Sequence, residues 1–384
     1  MPHIYQLLLL SPFPDFGRGE SVAYLSVSIW KTHNHVFSNK IIIILMFLSF
    51  CLLILCIIAL FTKDNHRLYE KRNLTDLVKW IAAIAVVISH LCTFYMHSPT
   101  LATECRFGSL SVSIFFFLSG YGLICNYNLK GEKYLKGFLI HRIGKVIIPL
   151  LTAYAIYIPL LKIISNRGGG VIEAIQRLFS INPLLPYSWY VTEIVLLYLL
   201  FYITMRFVPK YKIITLSFII ICMMLGMLLT KFPHWWINAT PCFIIGMWYC
   251  QYECAIIKQI GKVKIWNLLL LIILFFCIYR LDIIQNNIQF LARWRYTYAS
   301  YYIINYLFIL LAVYILQGVH NIKKLKVKRN CYYEIYLIQG SMFLLFNTII
   351  SNKIIFFALA VIGTVLFSFG INWINQKITN LIKI

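Results

Sequence analysis

Ten apolar segments of 16 to 22 residues follow one another through this 384-residue chain, at about 77–96, 108–126, 146–165, 188–208, 213–230, 235–252, 265–280, 298–317, 333–350 and 354–375. An eleventh precedes them at 41–62. Lipid offers no water to backbone N–H and C=O groups, so a segment long enough to span and this apolar satisfies them internally, as a helix. The sequence therefore predicts an all-α polytopic membrane protein, with a ten-helix core and one extra N-terminal transmembrane helix. Composition agrees: 61% of residues are hydrophobic and only 12% are charged, far from the balance of a soluble domain.

The net charge of +23 would ordinarily point to nucleic acid. Here the basic residues sit in short loops between apolar runs, and that placement excludes the nucleic-acid reading. With the loop before Asp76 taken as cytoplasmic, 22 Lys and Arg fall in the inner loops and nine in the outer ones. This is the positive-inside pattern, and it puts Asp76 and the C-terminus in the cytoplasm. The extra helix then puts the N-terminus outside.

The chain divides simply. Residues 1–40, broken by Pro12, Pro14 and Gly17, read as a poorly structured extension rather than a signal peptide. Residues 41–62 read as a peripheral helix with no polar handle, and 70–376 as the main transmembrane domain. The outer loop at 166–187 carries Gly168-Gly169-Gly170, Pro183 and Pro186, and reads as a mobile lid or a simple connector. Eleven Cys residues are scattered without a C-x-x-C pair or zinc spacing, so they read as small buried hydrophobes and no metal is expected.

Polar residues inside these segments are the candidates for chemistry, because an ionisable group in a membrane is expensive and by default functional. Lys79 and His90 are eleven residues apart on the first core helix, about 16 Å at 1.5 Å per residue, or half of the roughly 30 Å hydrocarbon layer. One helix thus carries a cation near one face and an imidazole past the midplane. His90 reads either as a packing residue or as a general base, since a neutral imidazole accepts a proton near pH 7. Asp76 and Lys79, three apart, share a helix face, either as a solvated pair or as an anchor for an anionic cofactor. Arg142 and Lys145, again three apart and just before Pro149, read as a positive-inside anchor or as a phosphate site, where Arg binds bidentately. There is no Walker-type loop. Ser119-Gly120-Tyr121-Gly122 lacks the nucleophile elbow and reads as a packing element, with Tyr121 lining the cavity. Glu193, about one turn into its helix behind Trp189-Tyr190, reads as a partner for His90, for a sugar hydroxyl or for a neighbouring cation. Glu334 reads as an acid at the cytoplasmic interface.

Taken together, four stretches resemble the acyltransferase-3 family of integral membrane proteins that O-acetylate bacterial surface sugars. They are Asp76-x-x-Lys79 with His90, Phe115-Phe-Phe-Leu-Ser-Gly-Tyr-Gly122, His141-Arg142-x-x-Lys145 before Pro149, and Tyr333-Glu-Ile-Tyr336-Leu-Ile-Gln339; Trp189-Tyr190 opening a helix also fits. The resemblance spans about residues 70–375. It implies a ten-helix domain in the bacterial inner membrane, a cytoplasmic acyl-CoA donor, most simply acetyl-CoA, and a sugar or lipid-linked glycan acceptor reached from outside. On this pattern Lys79, Arg142 and Lys145, with Asp76, hold the donor. His90 activates the acceptor, with Glu193 and Tyr121 assisting, Tyr121 as donor to the oxyanion. The family usually carries Arg where Lys79 and Lys145 stand, and Lys keeps the charge without the bidentate fork. The alternative reading is a secondary transporter or exporter of a polysaccharide precursor. Oligomeric state is not readable from the sequence.

Overall fold

The computed structural model describes residues 66–96, 107–165, 171–260, 268–275, 299–318 and 331–382. The expected extension at 1–40, the extra helix at 41–62 and the triple glycine at 168–170 lie outside the described residues. Among the described residues the α-helices are α1 (Arg72–Met96), α2 (Phe107–Lys130), α3 (Gly144–Ser165), α4 (Val171–Arg177), α5 (Trp189–Phe207), α6 (Lys212–Leu229), α7 (Pro241–Ile260), α8 (Ala299–Gly318), α9 (Tyr332–Ile349) and α10 (Lys353–Ile382). Of these, α4 is a single short surface helix, and residues 268–275 form a further helical stretch. No strand occurs among the described residues. Among the described residues, six helical segments are long and apolar enough to cross a membrane, and the protein is a multi-pass membrane protein.

α2 is the central helix, packed against α1, α7 and α8, while α9 packs against α1, α3 and α10. The core lies where these two groups meet, with Phe116, Phe117, Phe201 and Phe243 fully enclosed. Two glycines set the α2–α7 spacing. A Cβ at Gly120 would collide with the carbonyl oxygen of Phe243, and one at Gly246 with that of Phe117. Only residues without a side chain let the two backbones approach this closely. The Ser119–Gly122 stretch is therefore a packing element, as its lack of a nucleophile elbow suggests. Large apolar side chains point outward from α6 (Phe218, Ile221, Leu225) and α10 (Ile362, Leu366, Phe367). In water such a surface would be an adhesive patch; in a bilayer it is the lipid face.

Two departures from the sequence reading matter for the site. The helix expected at 235–252 begins at Pro241, after a 3-10 turn at His234–Trp236, and runs to Ile260. Thr240 and Pro241 are a favoured helix start, a hydroxyl residue followed by a proline whose missing N–H costs nothing at the first helical position. Arg142 lies in a π-turn, Leu139–Ile143, that runs directly into α3. Such turns widen the backbone and are common at functional sites.

Candidate functional site

His90 sits in the second half of α1 and is half-buried. Its Nδ1 is 2.9 Å from Oε1 of Gln339 on α9. Gln339 is fully buried, and its amide Nε2 donates to the Tyr336 carbonyl at 2.8 Å. One face of the imidazole is covered by Tyr187, whose ring is stacked at 3.8 Å and 12°. Tyr187 has a left-handed φ of 67°, a conformation that a non-glycine residue keeps only when its surroundings hold it there. Here they do. The Tyr336 hydroxyl donates to the Tyr187 carbonyl, Pro186 rests on Gly340, and the Leu185 N–H donates to Tyr154 at 3.3 Å. Tyr336, Gln339 and Gly340 are spaced three and four apart, so one face of α9 organises the whole surround of His90. Among the described residues nothing hydrogen-bonds His90 Nε2, and no charged side chain touches the ring.

Gln339 entered the sequence reading only as one residue of a resembling stretch, and Tyr187 did not enter it. The signal for Gln339 was present: an amide embedded in Leu337-Ile338-Gln339-Gly340 has four hydrogen-bonding sites and no water to fill them.

The other end of α1 carries charge. Asp76 is buried and accepts from Lys79 Nζ at 3.1 Å, with Arg72 Nε at 3.8 Å on its second oxygen. The Lys79 ammonium lies 5.3 Å from the centre of the Tyr332 ring at the start of α9. The next residue, Tyr333, donates its hydroxyl to the Val146 carbonyl of α3 at 3.0 Å. Arg142 donates from Nε to the Tyr134 hydroxyl at 3.0 Å and lies over that ring. Lys79 and Arg142 thus each lie over a tyrosine ring, of Tyr332 and of Tyr134. Lys145 is exposed, one residue before Val146. Lys79 thus lies at the first turn of α9, Lys145 precedes the Val146 to which Tyr333 of that turn donates, Arg142 sits in the turn leading into α3, and His90 lies about 16 Å beyond Lys79 along α1.

Tyr121 and Glu193 are placed elsewhere. The Tyr121 hydroxyl donates to the Glu253 carboxylate, 3.0 Å to Oε2, and accepts the Tyr69 N–H at 2.9 Å. Glu253 also accepts the Leu68 N–H at 2.7 Å. Beside them the fully buried Lys71 donates to the carbonyls of Leu316 and Gln317, at 3.1 and 2.9 Å. These groups clasp the chain just before α1 to α7 and α8, at the charged end of α1, and the structure does not bring Tyr121 to His90. Glu193 is fully buried on α5 and accepts from the Thr240 hydroxyl. Its second oxygen has no hydrogen-bond partner among the described residues. Its neighbours are the polar residues before α7, where the Asn238 carbonyl accepts from Asn305 at 2.8 Å; it does not contact His90. Glu334, expected at an aqueous interface, is instead buried and accepts from Asn372 and Asn375 of α10. A surface groove of about 340 Å³, lined by Tyr127, Lys212, Trp248 and Tyr252, contains none of these residues.

The model of the acyltransferase domain that defines the acyltransferase-3 family matches residues 74–373, which include His90, Gln339 and the three cations. No curated protein and no solved structure matches the chain.

Proposed function

The chain belongs to the acyltransferase-3 family and is a membrane acyltransferase; from that premise we propose that it transfers an acyl group, most simply acetyl, from cytoplasmic acyl-CoA to a hydroxyl of a cell-surface or exported glycan. One observation carries this reading. Helix α1 bears Lys79 beside Asp76 and, about 16 Å along, an imidazole bonded by Gln339 and stacked on Tyr187, and the other two cations, Arg142 and Lys145, lie just before and at the start of α3, which packs on α9 as α1 does. A donor with a phosphate-bearing head and a long, thin acyl-carrying arm has the shape to occupy both stations.

In this scheme Arg142, Lys145 and Lys79 meet the donor's phosphates, Arg142 through a planar fork and the lysines as point charges. A carboxylate repels phosphate, so Asp76 serves by holding Lys79 rather than by touching the donor. His90 takes the proton of the acceptor hydroxyl as its oxygen attacks the thioester carbonyl. The carbon–sulfur bond then breaks, and the thiolate recovers that proton from the imidazolium. The collapsing oxyanion needs a hydrogen-bond donor, and the placement of Tyr121 directs that search towards residues around Tyr187 instead. Glu193, with one free carboxyl oxygen, is the proposed contact for an acceptor hydroxyl. The positive-inside count supports an orientation with the C-terminus in the cytoplasm, and the bacterial inner membrane belongs to the same proposal.

The test is mass spectrometry of surface glycans from cells lacking the gene, complemented by wild type or by His90→Ala. Acetyl groups lost on deletion and restored only by wild type support the scheme and identify the acceptor. Unchanged acetylation with precursor accumulating inside the cell would favour the exporter reading instead.

A further inference from the structure

The hydrogen bonds around Gln339 determine which nitrogen of His90 carries the proton. A backbone carbonyl can only accept, so the group of Gln339 that meets the Tyr336 carbonyl at 2.8 Å is its NH2. The amide is planar, so the atom turned towards His90 is then the oxygen, which also can only accept. The atom that meets it at 2.9 Å, Nδ1, must therefore be a donor. A neutral imidazole with its proton on Nδ1 has its lone pair on Nε2. Nε2 is the nitrogen that no described residue occupies.

We propose that Gln339 is a positioning residue that holds neutral His90 in the Nδ1–H tautomer, leaving Nε2 as the atom that removes the acceptor's proton. The proposal rests on the acyltransferase reading for the role of Nε2, but not for the tautomer itself. Tyr187 completes the arrangement. Stacked at 3.8 Å on the ring face, it hinders rotation of the imidazole about its Cβ–Cγ bond, and so helps keep Nδ1 towards Gln339. Tyr187 is itself held by the Tyr336 hydroxyl. One residue, Tyr336, thus sets both constraints: its carbonyl orients the amide and its hydroxyl anchors the stacking ring. The groups facing the imidazole are Gln339 from α9 and Tyr187 from the segment before α5, and neither is charged.

The deciding measurement is nitrogen NMR of isotope-labelled histidine in the full-length protein in lipid nanodiscs. His90→Asn removes one of the nine histidines and so assigns its signals. Wild type is expected to show a protonated, pyrrole-type Nδ1 and a bare, pyridine-type Nε2 at His90. Gln339→Leu should lose that preference, and its transfer rate should fall at least tenfold in kcat with KM for the donor unchanged, a part of the roughly 10²–10⁴ that a general base supplies. Gln339→Glu with its buried carboxyl protonated donates its O–H to the Tyr336 carbonyl and keeps an acceptor facing Nδ1, so at a pH where the carboxyl is neutral it should retain the tautomer and recover much of the rate. If Gln339→Leu does not fold, wild type and Gln339→Glu still decide the matter. A protonated Nε2 in wild type, or an unchanged tautomer in Gln339→Leu, overturns the proposal. The expected tautomer in a protein whose His90→Ala variant still transfers acyl groups would instead overturn the catalytic role and leave the positioning intact.

Discussion

Gly120 of α2 and Gly246 of α7 lie in reciprocal contact, each occupying the space against the other helix's backbone that a side chain would fill. This pair fixes how closely the central helix meets α7. Gly120→Ala is expected to destabilise the protein by about 1–3 kcal/mol, the usual range for overpacking a tight interior. Gly122, two residues on, meets nothing within 4 Å at its Cβ position. Gly122→Ala should be neutral or stabilising by up to about 1 kcal/mol, through helix propensity alone. Thermal unfolding of both variants in detergent checks the contrast, and equal behaviour would show that the crossing tolerates a side chain.

The clasp around Glu253 makes a second prediction. Tyr121→Phe removes a hydroxyl that serves both Glu253 and the Tyr69 N–H, and should cost about 1–3 kcal/mol for the groups left short of a partner. Its transfer rate, at subsaturating temperature stress and equal protein level, should stay within a few-fold of wild type. A collapse in kcat at unchanged stability would return Tyr121 to the reacting centre.

Lys71 bears on the same region. Its ammonium meets two carbonyls in the last turn of α8, where helix carbonyls lack partners and the helix dipole favours a cation. Lys71→Met keeps the chain length and removes the charge. It should cost about 1–3 kcal/mol for each carbonyl left bare, seen as a lower unfolding temperature with donor affinity unchanged. A loss of donor binding without a loss of stability would move Lys71 into the cation cluster at Lys79.

How far the sequence alone carries depends on whether the relevant force is local. Helices such as Trp189–Phe207 and Lys212–Leu229 fall within a residue of the apolar runs that announce them, because in lipid the run and the helix are nearly the same thing. α7 was misplaced by hydropathy, since Trp235-Trp236-Ile237 is apolar but not helix-starting, while Gln251 to Lys258 is polar yet helical. That tail persists because Glu253 finds Tyr121 and the Leu68 N–H on other elements. Likewise α10 runs past its expected end at 375 to Ile382, and its Asn372 and Asn375 hold Glu334. His90, Lys79 and Arg142 stood out as charged or titratable groups in or beside spans. The partner that orients His90 lies 249 residues away, and periodicity in a single sequence does not say which two helices are neighbours.

The cations at Lys79 and Arg142 and the imidazole of His90 should fail in different ways, and that difference is the sharpest test of the proposed scheme. Arg142→Lys keeps the charge but loses the planar fork. Losing a charge-assisted hydrogen bond of about 1.5–3 kcal/mol should raise KM for acyl-CoA by roughly ten- to a hundredfold, with kcat little changed. Lys79→Ala should act in the same direction, and should also release Asp76, whose carboxylate then faces the donor's phosphates as a repulsive charge; Lys79→Arg should preserve binding. His90→Ala sits about 16 Å away and should leave acyl-CoA affinity intact while lowering kcat by roughly 10²–10⁴. Steady-state kinetics with varied donor, alongside direct binding of acyl-CoA to each purified variant, separates these outcomes. If His90→Ala weakened donor binding as much as Arg142→Lys, the cations and His90 would belong to one site, and the assignment of separate stations would be wrong.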